Sequence, residues 1–206
     1  MKDQFKNKAK NWDETPWKQN LAQDAYNAIS SKINISSNTR LIDLGGGTGL
    51  LTLKFKDDVS KITIVDTSKG MLDVLRQKIK ARKIRNVEIL NGILSPGVLP
   101  KNSSELIISM MTLHHIEDLH TIFKCFYEIL VLGGSIALVD LAKEDGDFHA
   151  DDADYVYDGF EKEDLKLPLE KAGFKNIGIA EISTVTKEST SGLIKEYPIL
   201  LVTASK

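Results

Sequence analysis

Leu41-Ile42-Asp43-Leu44-Gly45-Gly46-Gly47-Thr48-Gly49-Leu50 runs an apolar strand straight into four glycines within five positions. Nothing else in the chain constrains the fold as tightly. Glycine reaches positive φ without a steric penalty and lets another molecule approach the main chain to van der Waals distance. A helix opening at Leu50 would add free N–H groups and the positive end of its dipole, which suit a carboxylate as well as a phosphate. A bare strand-to-helix connection has no need of so many destabilising glycines. The stretch reads as a cradle for a ligand.

Outward from it, short apolar runs at 40–44, 61–65, 87–90, 105–109 and 135–141 read as buried strands. Helical segments are expected between them. A short one opens at 50–55, and another spans 71–80 with Ser68 as N-cap. A third, 120–130, carries Ile122, Phe123, Phe126, Ile129 and Leu130 on one face and is stopped by Gly133-Gly134. The end of the chain differs in kind. A helix over 163–172 closes on Gly173, and strands at 176–185 and 196–203 are joined only by a polar loop, which implies an antiparallel hairpin. The expected fold is α/β: a doubly wound, mostly parallel seven-stranded sheet with a C-terminal antiparallel hairpin, of Rossmann-like type. Ahead of it, an aromatic segment at 5–17 and an amphipathic helix at 21–33 form an appended cap.

Composition narrows the partners. With 206 residues, 42% of them hydrophobic, one core and one domain are expected. A net charge of -2 from 27 basic and 29 acidic groups provides no field to hold a polyanion or an anionic membrane surface. Neither nucleic acid nor membrane is expected as a partner, and no oligomeric state is specified. The single cysteine, Cys125, sits among Phe123, Phe126 and Tyr127 at helical spacing and reads as a buried structural thiol. Residues 1–10 are basic and polar without an apolar signal core, and no run approaches the roughly 18 apolar residues of a spanning helix. A soluble cytoplasmic protein is the expectation.

Spacing selects among ligands. A dinucleotide fingerprint needs Gly or Ala at its sixth position, and counting from Gly45 or Gly47 puts Leu50 or Thr52 there. Both fail. Asp66 ends the second strand 22 positions after Leu44, close to the ~20 expected for a carboxylate that binds ribose hydroxyls.

With these residues in place, the chain resembles the class I S-adenosylmethionine-dependent methyltransferases, particularly the small single-domain type that includes ubiquinone/menaquinone-biosynthesis-like enzymes. Asp43-Leu44-Gly45-Gly46-Gly47-Thr48-Gly49 is similar to their first motif, and Val65-Asp66-Thr67-Ser68 leading to Met71-Leu72 to their second. Met110 to Ile116, containing Leu113-His114-His115-Ile116, resembles the segment bordering their methyl-donor pocket; Leu132-Gly133-Gly134-Ser135 and Ala172-Gly173-Phe174 resemble later landmarks. The resemblance implies S-adenosyl-L-methionine as cofactor. It places Asp43, Gly45, Gly47 and Gly49 at the methionine portion, Asp66 on the ribose, Met71, Asn91 and Ile93 around adenine, and Met110 beside the donor. It also divides a single methyltransferase domain, 1–206, into an N-terminal helical cap (1–38), a donor-binding core (39–141), an acidic lid-like loop (142–160), and a C-terminal helix and hairpin (161–206). Two positions depart from the pattern: Asn91 stands where an acid often binds adenine, and Glu105 where an Asp usually opens the fourth strand.

The implied function is methyl transfer to a small-molecule acceptor. An NAD-dependent oxidoreductase and a non-catalytic S-adenosylmethionine-binding module are the alternatives. Alignment of acceptor and methyl can supply most of the acceleration, and oxygen or nitrogen acceptors can also need a base. Of His114, His115, His120 and His149, His114 is the preferred base, because the loop after strand four should face the sulfonium. No metal is expected: adjacent histidines point apart on any regular element, and His115, Glu117 and His120 are not spaced as HExxH. Asp145, Asp147, Asp151, Asp152, Asp154 and Asp158 lack the Gly and Glu of a calcium loop and read as solvated. Phe148, His149, Tyr155 and Tyr157 among them, with Trp12 and Trp17, could close an aromatic acceptor pocket.

Overall fold

Strand β1 (Arg40–Leu44) is buried on both faces and lies inside the sheet, paired in parallel with β2 (Lys61–Asp66) and β4 (Ser104–Met110). The structure is a computed structural model and describes residue 3, residues 5–149 and residues 156–206. Strands β3 (Val87–Asn91), β5 (Leu130–Leu141), β6 (Lys175–Glu188) and β7 (Ile194–Ser205) complete a seven-stranded sheet in the order β3-β2-β1-β4-β5-β7-β6. β7 runs antiparallel between β5 and β6, so the reversed strand and the terminal hairpin stand as expected.

Alternation along the strands divides the apolar residues between two cores. Leu41, Ile64, Leu106 and Val139 face the first, beside Leu21 and Ile29 of α1 (Pro16–Lys32) and Leu72 and Leu75 of α2 (Lys69–Ala81). Ile42, Val65, Ile107 and Leu138 face the second, beside Phe123 and Phe126 of α3 (Leu119–Ile129) and Leu165 and Leu169 of α4 (Lys162–Ala172). Helices therefore cover both faces. The caps follow from local chemistry: Met71 N–H donates to Ser68 Oγ at 3.2 Å, and α4 closes on Gly173 at φ 104°.

Two expected helices differ. After the glycine turn there is only a four-residue 3-10 turn, Thr52–Phe55, whose Thr52, Leu53 and Phe55 are buried. No long helix points its dipole at the turn, and anion affinity there rests on the turn's own N–H groups. The helix expected over 120–130 ends at Ile129; Leu130 begins β5 and pairs with Ser104, ahead of a register shift. Gly133 and Gly134 thus sit within the strand instead of ending the helix, because Leu130 is fully buried in the second core and sheet pairing captures the backbone. Among the described residues, no helix is long and apolar enough to cross a membrane.

Candidate active site

The carboxyl ends of β1, β2 and β4 meet at the glycine turn. Gly45, Gly47 and Gly49 have φ of 70°, 53° and 79°, and they serve two purposes. A Cβ on Gly45 would overlap the Thr112 side chain, and one on Gly49 would lie 2.7 Å from Leu75 Cδ1. Those two positions are glycine for packing. Around Gly47 a Cβ would find nothing closer than 3.9 Å, so this is the side of the turn open to a ligand.

Asp66 ends β2 beside that opening. Its Oδ2 accepts the Gly47 N–H at 2.8 Å and its Oδ1 the Ser68 N–H at 2.7 Å. Burial pushes the carboxyl pKa up, against the pull of these two bonds. A carboxylate offers about four lone-pair positions, more than these backbone N–H groups fill, so it can still accept a hydroxyl such as that of a ribose. Asn91 donates Nδ2 to the Asp66 and Thr67 carbonyls at 3.0 and 3.1 Å, which leaves its side-chain oxygen to accept. Close by in sequence, Ile93 is 64% exposed, an uncovered apolar side chain of the kind an adenine ring would cover. These residues fit S-adenosylmethionine.

Other expected ligand residues lie deeper. Asp43 is buried beneath the turn, where its Oδ2 accepts the Thr52 hydroxyl; burial pushes its pKa up to about 7, and its Oδ1 has no partner among the described residues. Met71 is buried at the start of α2, and Met110 is half-buried against the first core. Glu105, the longer acid of the fourth strand, accepts the Arg40 N–H at 2.7 Å and pairs with its guanidinium at 2.6 Å, pinning β1 far from the ligand end.

A latch at this site was not legible in the sequence. The Thr48 hydroxyl donates to Asp13 at 2.5 Å, and Asp13 also pairs with Lys78, which donates to the Thr48 carbonyl at 2.7 Å. Asp3 accepts from Ser68 Oγ at 2.7 Å and from Gly70 N–H at 3.0 Å. The N-terminal segment is thereby tied to the turn and to the start of α2. Isolated acids in a segment without periodicity give no signal of this.

The loop after β4 holds His114, which is 1% exposed. Its Nδ1 lies 2.5 Å from Asp140 Oδ1, and its Nε2 is buried without a partner among the described residues. Asp140 was missed by the sequence reading, although an acid inside the apolar run Ile136 to Leu141 is itself a signal. Burial opposes ionisation of Asp140, but His114 and the N–H groups of Leu141 and Leu113 outweigh it and hold the carboxyl below its ordinary range. His114 and His115 do not point apart: they lie on a 3-10 turn, Leu113–His115, with ring centroids 4.3 Å apart. His149 joins them, 4.7 Å from His114 and 5.6 Å from His115, whereas His120 lies outside the group, on α3.

Aromatic rings surround the histidines. Phe5 stands edge-on to His115 at 5.7 Å and to Trp12 at 5.9 Å; Phe148 does so to His149 at 5.0 Å and to Trp17 at 5.9 Å. Lys18 lies 3.2 Å over the Trp12 ring, its pKa pushed down to about 8 by burial and by Lys8 and Lys187. Tyr155 lies outside the described residues, as do Asp151, Asp152 and Asp154. Cys125 is buried, as expected, and burial pushes its thiol pKa up.

Known methyltransferases share this fold. Residues 41–134 match the family model described as a methyltransferase domain. A demethylmenaquinone methyltransferase of Listeria welshimeri is 25% identical over 114 residues, which are 54% of this chain and 48% of that protein. The chain thus spans about half the length of the curated relatives it matches. A methyltransferase structure from Aquifex aeolicus superimposes with a TM-score of 0.71 at 19% identity, covering 97% of both chains. Phosphoethanolamine N-methyltransferase 2 of Haemonchus contortus, solved with S-adenosyl-L-methionine, gives 0.71 at 18% identity over 88% of this chain and 52% of that one. At such identities the superpositions establish the fold.

Proposed function

We propose that this chain, a member of the class I S-adenosylmethionine-dependent methyltransferases, transfers a methyl group to a small-molecule acceptor held between its N-terminal cap and its histidine cluster. The observation that carries this reading is the Asp66 carboxylate, fixed by the Gly47 and Ser68 amides at the one open face of the glycine turn. S-adenosylmethionine supplies an electrophilic methyl on a sulfonium whose charge disperses as the nucleophile arrives.

This chain's residues bind and align. Gly47 leaves its main chain accessible to the methionine portion, Asp66 accepts from the ribose, Asn91 accepts from the adenine amino group, and Ile93 covers the ring. Thr112, packed on Gly45, couples the histidine loop to the donor turn. Alignment of this kind can supply ~7–11 kcal/mol of a barrier. Phe5, Trp12 and Phe148 exclude water from the acceptor side, and His114 contributes the Nε2 lone pair there. A reducing, cytoplasmic setting suits the lone buried Cys125.

The test is incubation of the chain with methyl-labelled donor and a fractionated extract of small molecules. Label in a small product, with S-adenosylhomocysteine formed in step, is the expected result. Donor binding without turnover on any fraction would make the chain a binding module, and saturable quenching of NADH fluorescence would favour the oxidoreductase.

A further inference from the structure

We propose that His114, His115 and His149 form a binding site for a divalent transition metal of the zinc or cobalt class, with one coordination position open towards the acceptor pocket. One possible ligand atom from each of the three lies within 4.8 Å of the others, in a pocket walled by Phe5 and Phe148.

The strongest support is His114. Asp140 takes the His114 Nδ1 on one oxygen at 2.5 Å, and on the other the N–H groups of Leu113 and Thr112 at 2.8 and 3.1 Å. Both Asp140 oxygens also accept backbone N–H groups, so the neutral imidazole presents its Nδ1 proton to that carboxylate and keeps its lone pair at Nε2. That lone pair is buried without a partner among the described residues, an arrangement a purely structural histidine would avoid. A carboxylate behind the far nitrogen is how proteins orient imidazoles toward metals.

The other two histidines suit the same role. The His149 ring stands 4.7 Å from that of His114 and 5.6 Å from that of His115, with its Nε2 buried. The backbone carbonyl of His114 accepts from the Val156 and Tyr157 amides at 2.8 and 3.1 Å, which ties the far end of the acidic loop to the turn bearing His114 and His115. With metal–nitrogen bonds of about 2.0–2.1 Å, tetrahedral ligand atoms stand about 3.3 Å apart. Reaching that spacing from 4.8 Å requires the half-buried His115 and His149 rings to turn when a metal binds.

Three imidazoles without a thiolate favour zinc or cobalt over magnesium or calcium, and three protein ligands leave a fourth position vacant. Resting on the methyltransferase reading, that position takes an acceptor hydroxyl or thiol. Coordination releases its proton to solvent, and the heteroatom then forms the new bond to the methyl carbon as the carbon–sulfur bond breaks. The metal thus does the work otherwise asked of a base.

The experiment is titration of the chelator-treated full chain with cobalt(II), followed by visible absorption, with zinc as competitor. One equivalent per chain, with the intense bands of four- or five-coordinate cobalt, discharged by zinc, is expected. His115→Ala and His149→Ala should each weaken binding more than tenfold, and Asp140→Asn by 10–100-fold, with thermal melts confirming the fold of each variant. Absent or weak octahedral-type absorption, or binding indifferent to all three substitutions, would overturn the site. Calorimetry with S-adenosylhomocysteine on the same samples separates the two readings: donor binding without cobalt binding rejects the metal alone, and the reverse rejects the donor assignment.

Discussion

Thr112 fills the space that a side chain on Gly45 would need, and so joins the turn after β1 to the loop after β4. Gly47, two residues on, has open space in the same place. The two glycines therefore predict opposite phenotypes. Gly45→Ala combines left-handed strain with overpacking and should cost about 2–4 kcal/mol of stability. Gly47→Ala should cost about 1 kcal/mol yet abolish measurable S-adenosylhomocysteine binding, because its methyl occupies the ligand's approach. Thermal melts and calorimetry on the pair check this.

Asp66 carries the ribose assignment. Asp66→Ala should weaken S-adenosylhomocysteine binding by more than tenfold, at least about 1.4 kcal/mol, while the chain still melts cooperatively. Calorimetric affinity equal to that of the parent would remove Asp66 from the site.

Asp43 predicts a pH dependence. Its folded pKa is raised to about 7 from an ordinary 3.8, so the folded chain holds a proton the unfolded chain releases. Stability from this group is full below about pH 4 and declines as pH rises to about 7. Asp43→Asn, which keeps an acceptor for Thr52, should gain on the parent across that window by on the order of 2–4 kcal/mol. Denaturant melts of both at pH 5 and pH 8 measure the difference; an Asn variant that loses ground toward pH 8 contradicts the buried-acid account.

Asp13 bridges Thr48 and Lys78 and so holds the N-terminal segment on the turn. Asp13→Ala should accelerate donor association several-fold in stopped-flow fluorescence of Trp12 and Trp17, with a stability loss of about 1–2 kcal/mol. An unchanged association rate would show that the segment does not gate the site.

Much of this was legible because it is local. The strand at 40–44, the Ser68 cap and Gly173 at the end of α4 follow from apolar runs and from residues with one strong conformational preference. Where neighbours in space compete, local reading failed. Leu130 was assigned to a helix by periodicity but is drawn into β5 by Ser104 and the second core. His114 and His115 were expected to diverge, and a 3-10 turn brings their rings together.

By itself, the sequence determined the doubly wound sheet with its reversed strand, the glycine cradle and the acid beside it. These depend on periods of two and about four residues, on φ preferences, and on a strand-to-strand spacing set by one connection. Only the tertiary structure decided what surrounds the cradle: Asp13 on Thr48, Asp140 behind His114, and His149 carried back to His114 from 35 positions away. Such contacts are fixed by how the whole sheet twists and where its loops return, and no run of neighbouring residues encodes them.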